Sequence, residues 1–309
     1  MNTQAFVFPG QGSQYVGMGK DLYEQHPEAR RRFDEADALL GFSLSTICFE
    51  GPEEELKQTK NTQPAIFLHS MVIAHLLRGE RASMAAGHSL GEYSALVYAG
   101  ALTFEDGLHL VRLRGELMQR AGIEQLGTMA AIVGLEPDVV NDICRIAASA
   151  GIVQAANFNS PGQIVISGSV AGVRKAMEVA KERGAKLVKE LPVSGAFHSP
   201  LMESAQSGLK AALQKTSIAD AALPVYANVT ARPVQRADEI RRLLYEQLTN
   251  PVRWEESIRN MASDGATTFV EIGPGKVLQG LVKRIRSDAV TRGIEKLTDI
   301  ARESSTERN

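Results

Sequence analysis

The sequence predicts an α/β protein, a larger α/β domain that carries a small inserted ferredoxin-like subdomain. Short apolar runs of strand length recur between stretches of helical periodicity, at Ala5–Phe8, just before Ser89, at Val225–Asn228 and at Thr267–Ile272. Residues 128–192 read strand, helix, strand, strand, helix, strand, which is the ferredoxin-like order. Gly87-His88-Ser89-Leu90-Gly91 lies between an apolar strand and a helix, the Gly-x-Ser-x-Gly pattern of a sharp strand-to-helix turn. These patterns divide the chain into a larger domain at 1–124 and 194–300, an insertion at 125–193 and a polar tail at 301–309.

Composition narrows the class. A chain of 309 residues with 44% hydrophobic and 23% charged residues can bury a sizeable core, and disorder is not expected. A formal charge of −2, with no basic excess, gives no reason to expect nucleic acid as a partner. The two cysteines, Cys48 and Cys144, are too few and too scattered for a disulfide framework or a metal site. Cys144 shares a helix face with Val140 and Ile143 and is expected in the core. No basic region followed by a long apolar run opens the sequence. No stretch approaches the ~18 apolar residues of a membrane span. A cytoplasmic protein without a membrane partner is expected.

Taken in order, Ala5-Phe6-Val7-Phe8 is a buried strand and Pro9-Gly10-Gln11-Gly12-Ser13-Gln14 a tight loop. Its glycines resemble a dinucleotide fingerprint, but Tyr15 stands where that fingerprint needs Gly or Ala. Residues 21–40 predict one polar helix, with Glu28 to Arg32 as a solvated face. Gln63-Pro64 opens an apolar helix that ends at Leu77. The elbow strand follows, with Gly87 and Gly91 where a sharp turn brings its neighbours too close for a side chain. The helix from Leu90 to Tyr98 points its free N–H groups at the Ser89 hydroxyl.

Phe104–Arg120 predicts a helix with Leu110, Leu113, Leu117 and Met118 on one side. Arg114 falls in the middle of that apolar face. A buried guanidinium needs an anion, either a structural Asp or Glu or a bound one. Arg112 points elsewhere and is expected in solvent. In the insertion, Pro137 opens a helix over Glu136–Ser149 with Val139, Ile143 and Ile146 inward. Strands Val153–Ala156 and Gln163–Ser167 are joined by the loop Asn157–Gly162. Val173, Met177 and Ala180 mark the inner face of a helix that Gly184 stops. Lys186–Leu191 is the last strand of the insertion. Beyond it, Gly195–Pro200 is a loop, and helices are expected around Leu243 and Trp254. Gly273-Pro274-Gly275-Lys276 resembles a phosphate loop but lacks its upstream glycine and the Ser or Thr after the lysine. The tail beyond Leu297 is expected to fray.

A nucleophilic Ser89 needs a base. Of the six histidines, His26 lies in polar sequence, and His69, His75 and His109 lie within helical runs. His88 should leave the strand on the side opposite to Ser89. His198 remains, in a glycine-bearing loop at the junction of the two domains, where clefts form. No acid can be assigned to it, so its Nδ1 could instead donate to a carbonyl oxygen and fix the tautomer. An oxyanion hole needs two N–H donors. Leu90 N–H directly follows the serine, and Gln11 N–H in the early loop is the second candidate.

Eight segments in order then resemble one family, the malonyl-CoA:acyl carrier protein transacylases. They are Phe8-Pro9-Gly10-Gln11-Gly12-Ser13-Gln14, Thr62-Gln63-Pro64-Ala65, Gly87-His88-Ser89-Leu90-Gly91-Glu92 and Arg114-Gly115-x-x-Met118. The other four are Asn157-Phe158-Asn159-Ser160-Pro161, Ala196-Phe197-His198-Ser199, Asn250-Pro251-Val252-x-Trp254 and Glu271-Ile272-Gly273-Pro274-Gly275. The resemblance runs from about Ala5 to Arg286. It implies an α/β-hydrolase-like core with a ferredoxin-like insertion. It further implies Ser89 as nucleophile, His198 as base, and Gln11 and Leu90 as oxyanion donors. Arg114 would hold a malonyl carboxylate, and the carbonyl that orients the histidine would belong to Gln247. Gln63, Met118 and Asn159 match positions near the acyl pocket. Phe197 resembles malonyl-selective members, and Ala-Phe-His-Ser is more similar to stand-alone acyltransferases of polyketide pathways than to fatty-acid ones.

The implied reaction is transfer of malonyl from malonyl-CoA to the phosphopantetheine thiol of an acyl carrier protein through malonyl-Ser89. CoA thioester and carrier are substrates, and neither metal nor cofactor is implied. The alternatives are a thioester hydrolase on the same serine, an acyltransferase for another extender unit, and an inactive scaffold. Lys181, Arg183, Lys186 and Lys189 could be a docking edge for an acidic carrier or a solvated helix end.

Overall fold

The computed structural model describes residues 3–77, 81–193 and 195–300. Its strands are β1 (Thr3–Phe8), β2 (Met84–Gly87), β3 (Gly127–Val133), β4 (Val153–Ser160), β5 (Gln163–Ser169), β6 (Leu187–Glu190), β7 (Val225–Tyr226), β8 (Pro233–Val234), β9 (Ala266–Ile272) and β10 (Val290–Ile294). They form a six-stranded sheet in the order β10-β9-β1-β2-β7-β8 and a four-stranded sheet in the order β4-β5-β3-β6.

The first sheet is parallel except for the β7–β8 pair. Ala5 to Phe8 at its centre are all buried, as expected of a strand covered by helices on both faces. Phe8 pairs with Gly87, so β1 and β2 end side by side. Their carboxyl ends release the Pro9–Gln14 loop and the serine elbow into one crevice, where open α/β sheets bind ligands. This is the α/β-hydrolase-like core.

The second sheet is antiparallel, with helices Pro137–Ala147 and Val170–Glu182, and has the ferredoxin-like strand order. Its two faces divide by alternation. Ala130, Ile132, Ile164 and Ile166 pack under its own helices, while Met129, Ala156 and Val165 join the core of the larger sheet. Edge strand β4 is also sewn to the core. Val252 N donates to Ala156 O at 2.8 Å, and Phe158 N donates to Val252 O at 2.9 Å.

Several elements differ from expectation. The helix expected over 21–40 is two, Lys20–Gln25 and Pro27–Leu40. Pro27 forces His26 into an extended conformation, with φ of −125°. The helix expected to open at Gln63 begins at Thr59 and takes Pro64 into its interior. A proline there leaves the carbonyl four residues back without its N–H. That carbonyl, Lys60 O, accepts from Arg112 Nη1 at 2.9 Å. Arg112 is therefore not solvated; it also bonds Asn61 and Glu116 and lies over the Phe42 ring. The helix with Arg114 runs on to Glu124. Asn157–Ser160 is strand, and only Pro161-Gly162 turns. Ile146 is 38% exposed, because Val140, Ile143, Cys144 and Ala147 form the inner stripe. The tail expected to fray lies outside the described residues from 301 onward, while Leu297 is tied through its N–H to Asp21. At Gly273–Lys276 the helix N-terminus that follows is occupied by Glu271, which accepts from Leu278 N and Gln279 N at 3.1 Å each.

The elbow glycines are steric requirements. A Cβ on Gly87 would lie 1.8 Å from Gly91 C, and one on Gly91 would lie 2.1 Å from Phe8 O. Backbone is not free to yield there, so Gly91→Ala should cost at least about 1–3 kcal/mol by overpacking. Gly280, in the helix Val277–Ile285 with open space around it, is the control. Alanine there should stabilise by roughly 0.5–1 kcal/mol through helix propensity. Urea unfolding midpoints check both signs.

Candidate active site

Ser89 sits at the tip of the elbow with φ of 53°, a left-handed conformation rare outside glycine. Asn228, just past β7, holds it there. Its Oδ1 accepts Ser89 N–H at 2.7 Å, and its Nδ2 donates to Gly87 O at 2.6 Å. The opposing pair of bonds spans the turn.

His198 also has a left-handed φ, 57°. Its Nδ1 faces Gln247 O at 2.9 Å and Asn250 O at 3.2 Å. Two carbonyl acceptors require a proton on Nδ1, which leaves Nε2 as an acceptor. Nε2 lies 2.8 Å from Ser89 Oγ, so the hydroxyl donates to it. Burial, and then the Arg114 cation, push the His198 pKa down to about 3. The imidazole is thus neutral and able to take a proton.

Arg114 is fully buried, and among the described residues no carboxylate is a hydrogen-bond partner of it. Nη1 donates to Gln63 Oε1 at 2.7 Å; Nη2 donates to Gln247 Oε1 and to Ser89 Oγ, each at 3.0 Å. The guanidinium carbon lies 5.7 Å from the centre of the Tyr93 ring. The acidic side chain nearest in this network stands one residue further out. Glu92 Oε2 accepts from Gln247 Nε2 at 2.8 Å and from Asn228 N at 3.0 Å. Burial pushes the Glu92 pKa up to about 7, against the pull of those two donors and of Arg114. The cation therefore keeps a face supplied only with neutral acceptors, open to a stronger one.

That face lines a cavity of about 180 Å³ together with Ser89, His198, Gln11 and Leu90. Gln63, Met118, Asn159 and Phe197 also line it, so the structure brings together nine of the ten residues singled out from sequence. The tenth, Gln247, reaches it through its bonds to His198, Arg114 and Ser89 O. Gln63 Nε2 faces Met118 Sδ at 3.3 Å, which orients the amide that meets Arg114. Gly10 lies so close to the elbow that a Cβ would come within 2.4 Å of His88 O. His88 lines the cavity as well, contrary to its expected exit on the far side. Its Nε2 donates to Asn159 Oδ1 at 2.9 Å, and its ring packs on Trp254. Residues that sequence reasoning missed are Asn228, the bracing role of Glu92, and Gln154, whose Nε2 donates to His198 O and Thr249 O. Glu92 closes the Gly87–Glu92 segment and Asn228 ends an expected strand, but amide contacts between distant segments leave no periodic signal. Among the described residues, no group of three or more His, Cys, Asp or Glu is placed to hold a metal ion, and no helix is long and apolar enough to cross a membrane.

The family model of the acyl transferase domain matches residues 5–302. The malonyl CoA-acyl carrier protein transacylase of Bacillus subtilis (strain 168) is 50% identical over 288 residues, covering 92% of this chain and 91% of that protein. The crystal structure of an acyl-carrier-protein-S-malonyltransferase from Bartonella henselae superposes with a TM-score of 0.94 at 42% identity, covering 98% of this chain and 99% of that one. A malonyl-transacylase solved in complex with a holo type II PKS acyl-carrier protein gives a TM-score of 0.94 at 40% identity, with 100% of both chains covered.

His198 protonation is open to measurement. Because its folded pKa lies below 6.5, the unfolded chain takes up the proton first on acidification. This contribution to stability is full above about pH 6.5 and is lost as pH falls toward the folded value. Imidazole NMR should find His198 neutral at about pH 5, and Arg114→Ala should raise its midpoint by removing a cationic neighbour. A midpoint at or above the ordinary histidine value in the intact protein would contradict the site described here.

Proposed function

We propose that this chain, which belongs to the acyl transferase domain family, is a malonyl-CoA:acyl carrier protein S-malonyltransferase acting through Ser89. The transfer activity and both substrates rest on relatives at 40–50% identity over nearly the whole chain. The observation that carries the substrate assignment is Arg114, a buried cation facing the nucleophile with only neutral partners.

The steps follow from the geometry. A malonyl carboxylate entering the cavity replaces neutral acceptors on Arg114 with two parallel charge-assisted bonds. The thioester carbonyl then lies toward Ser89. His198 Nε2 takes the hydroxyl proton as Oγ attacks the carbonyl carbon. Leu90 and Gln11 N–H are assigned the developing oxyanion. Both residues line the cavity, and Leu90 precedes the helix Gly91–Tyr98. The C–S bond breaks, CoA leaves with the proton from His198, and malonyl-Ser89 remains. The carrier's phosphopantetheine thiol enters, gives its proton to His198 and attacks the ester. Collapse returns the proton to Ser89 Oγ. An activated thioester drives the exchange, so the reading assigns no metal or cofactor. The cytoplasm is the compartment it assigns.

Ser89→Ala should abolish the malonyl adduct seen by intact-mass spectrometry after exposure to malonyl-CoA. An adduct persisting in that folded variant would require another nucleophile. Arg114→Ala should invert the acyl preference. Losing one partner of a desolvated charge pair costs roughly 2–5 kcal/mol, which is about 30-fold to several thousand-fold in malonyl kcat/KM. Acetyl carries no carboxylate, and its transfer should hold or rise. Equal losses for both thioesters would make Arg114 a structural residue.

A further inference from the structure

We propose that Gln154 is a positioning residue for His198, reaching from the inserted sheet into the catalytic centre. Gln154 lies on β4, outside the larger sheet that carries Ser89. Its Nε2 donates to His198 O at 2.9 Å and to Thr249 O at 3.2 Å. Two carbonyl oxygens around one amide group fix its nitrogen toward them. Those carbonyls belong to the two loops that hold the base. One loop carries His198 itself in its left-handed conformation. The other supplies Gln247 O and Asn250 O, the acceptors that orient the ring. Ser199 Oγ bonds Ala196 O at 2.6 Å, but that tie stays within the His198 loop. Gln154 clips one loop to the other.

The clip stands in a row of contacts along the same strand. Ala156 and Phe158 pair with Val252, just beyond the second loop, and Asn159 reaches His88 beside the nucleophile. A side chain that holds the backbone on both sides of the imidazole controls where Nε2 stands relative to Oγ. Base catalysis is steep in that distance, and displacements of about 1 Å cost up to about a hundredfold. The inference rests on the reading that His198 is the general base.

The test is the single-turnover malonylation rate of Ser89 in the full chain. Gln154→Met keeps length and volume and removes the donor. It should slow the saturating rate by about tenfold while the half-saturating malonyl-CoA concentration changes little. Gln154→Ala is read the same way should methionine not be accommodated. In a His198→Ala background either substitution should add less than about twofold, because a residue acting only through His198 has nothing left to position. A loss repeated in full in that background, or no loss in the intact protein, overturns the inference. If His198→Ala alone kept the wild-type rate, the base assignment would fall first, and Gln154 with it.

Discussion

A fully buried guanidinium without a carboxylate in contact is the constraint around which this structure is built. Desolvating Arg114 is costly, and burial alone lowers its pKa. A direct ion pair would relieve that cost and would also fill the face that meets the cavity. Here the relief comes at one remove. Gln247 takes Arg114 Nη2 on its oxygen and gives its own N–H to Glu92. The amide keeps the guanidinium and the Glu92 carboxyl from closing on each other while its dipole favours the charged form of each. Glu92 is in turn fixed by Asn228 N, and Asn228 sets the backbone of Ser89. The partners of the buried cation and the backbone of Ser89 therefore belong to one network, and a partly satisfied buried network of this kind is costly.

The same network explains how two strained residues persist. Ser89 and His198 both hold positive φ, a cost of order 1–3 kcal/mol each that the surroundings must over-determine. Asn228 grips both ends of the elbow, and carbonyls from the 247–250 loop grip the imidazole. The two sheets meet at this point. The parallel one delivers the serine, and the edge of the antiparallel one runs along the loops that deliver the histidine.

Much of this was legible in the sequence. The elbow was readable because steric necessity places glycines at fixed spacing. The insertion was readable because its strand and helix periods alternate in a recognisable order. Arg114 announced itself as a charge on an apolar helix face. What could not be read depended on contacts between distant segments. Pro64 sits inside a helix because Arg112, on another helix, takes the carbonyl it leaves free. Asn157 to Ser160 stay in strand because they pair with Gln163 to Val165 of β5, while Val252, far along the chain, bonds the strand's open side at Ala156 and Phe158. Asn228 and Gln154 are ordinary polar residues until the fold brings a turn or a loop against their amides.

The absence of a carboxylate from the hydrogen bonds to His198 Nδ1 follows from the position of Arg114. In a Ser-His-Asp arrangement the acid fixes the tautomer and stabilises the imidazolium. In this cavity an anion behind His198 would also stand in the field of Arg114 and compete with the carboxylate of the substrate. Backbone carbonyls of Gln247 and Asn250 fix the tautomer without adding charge. The consequence is that Arg114 opposes protonation of His198 in the free protein. On the proposed reading, a bound malonyl carboxylate would neutralise that cation at the step where His198 accepts a proton. On that reading the charge that selects the substrate would also ease the proton transfer, and an acyl group without a carboxylate would bring neither effect.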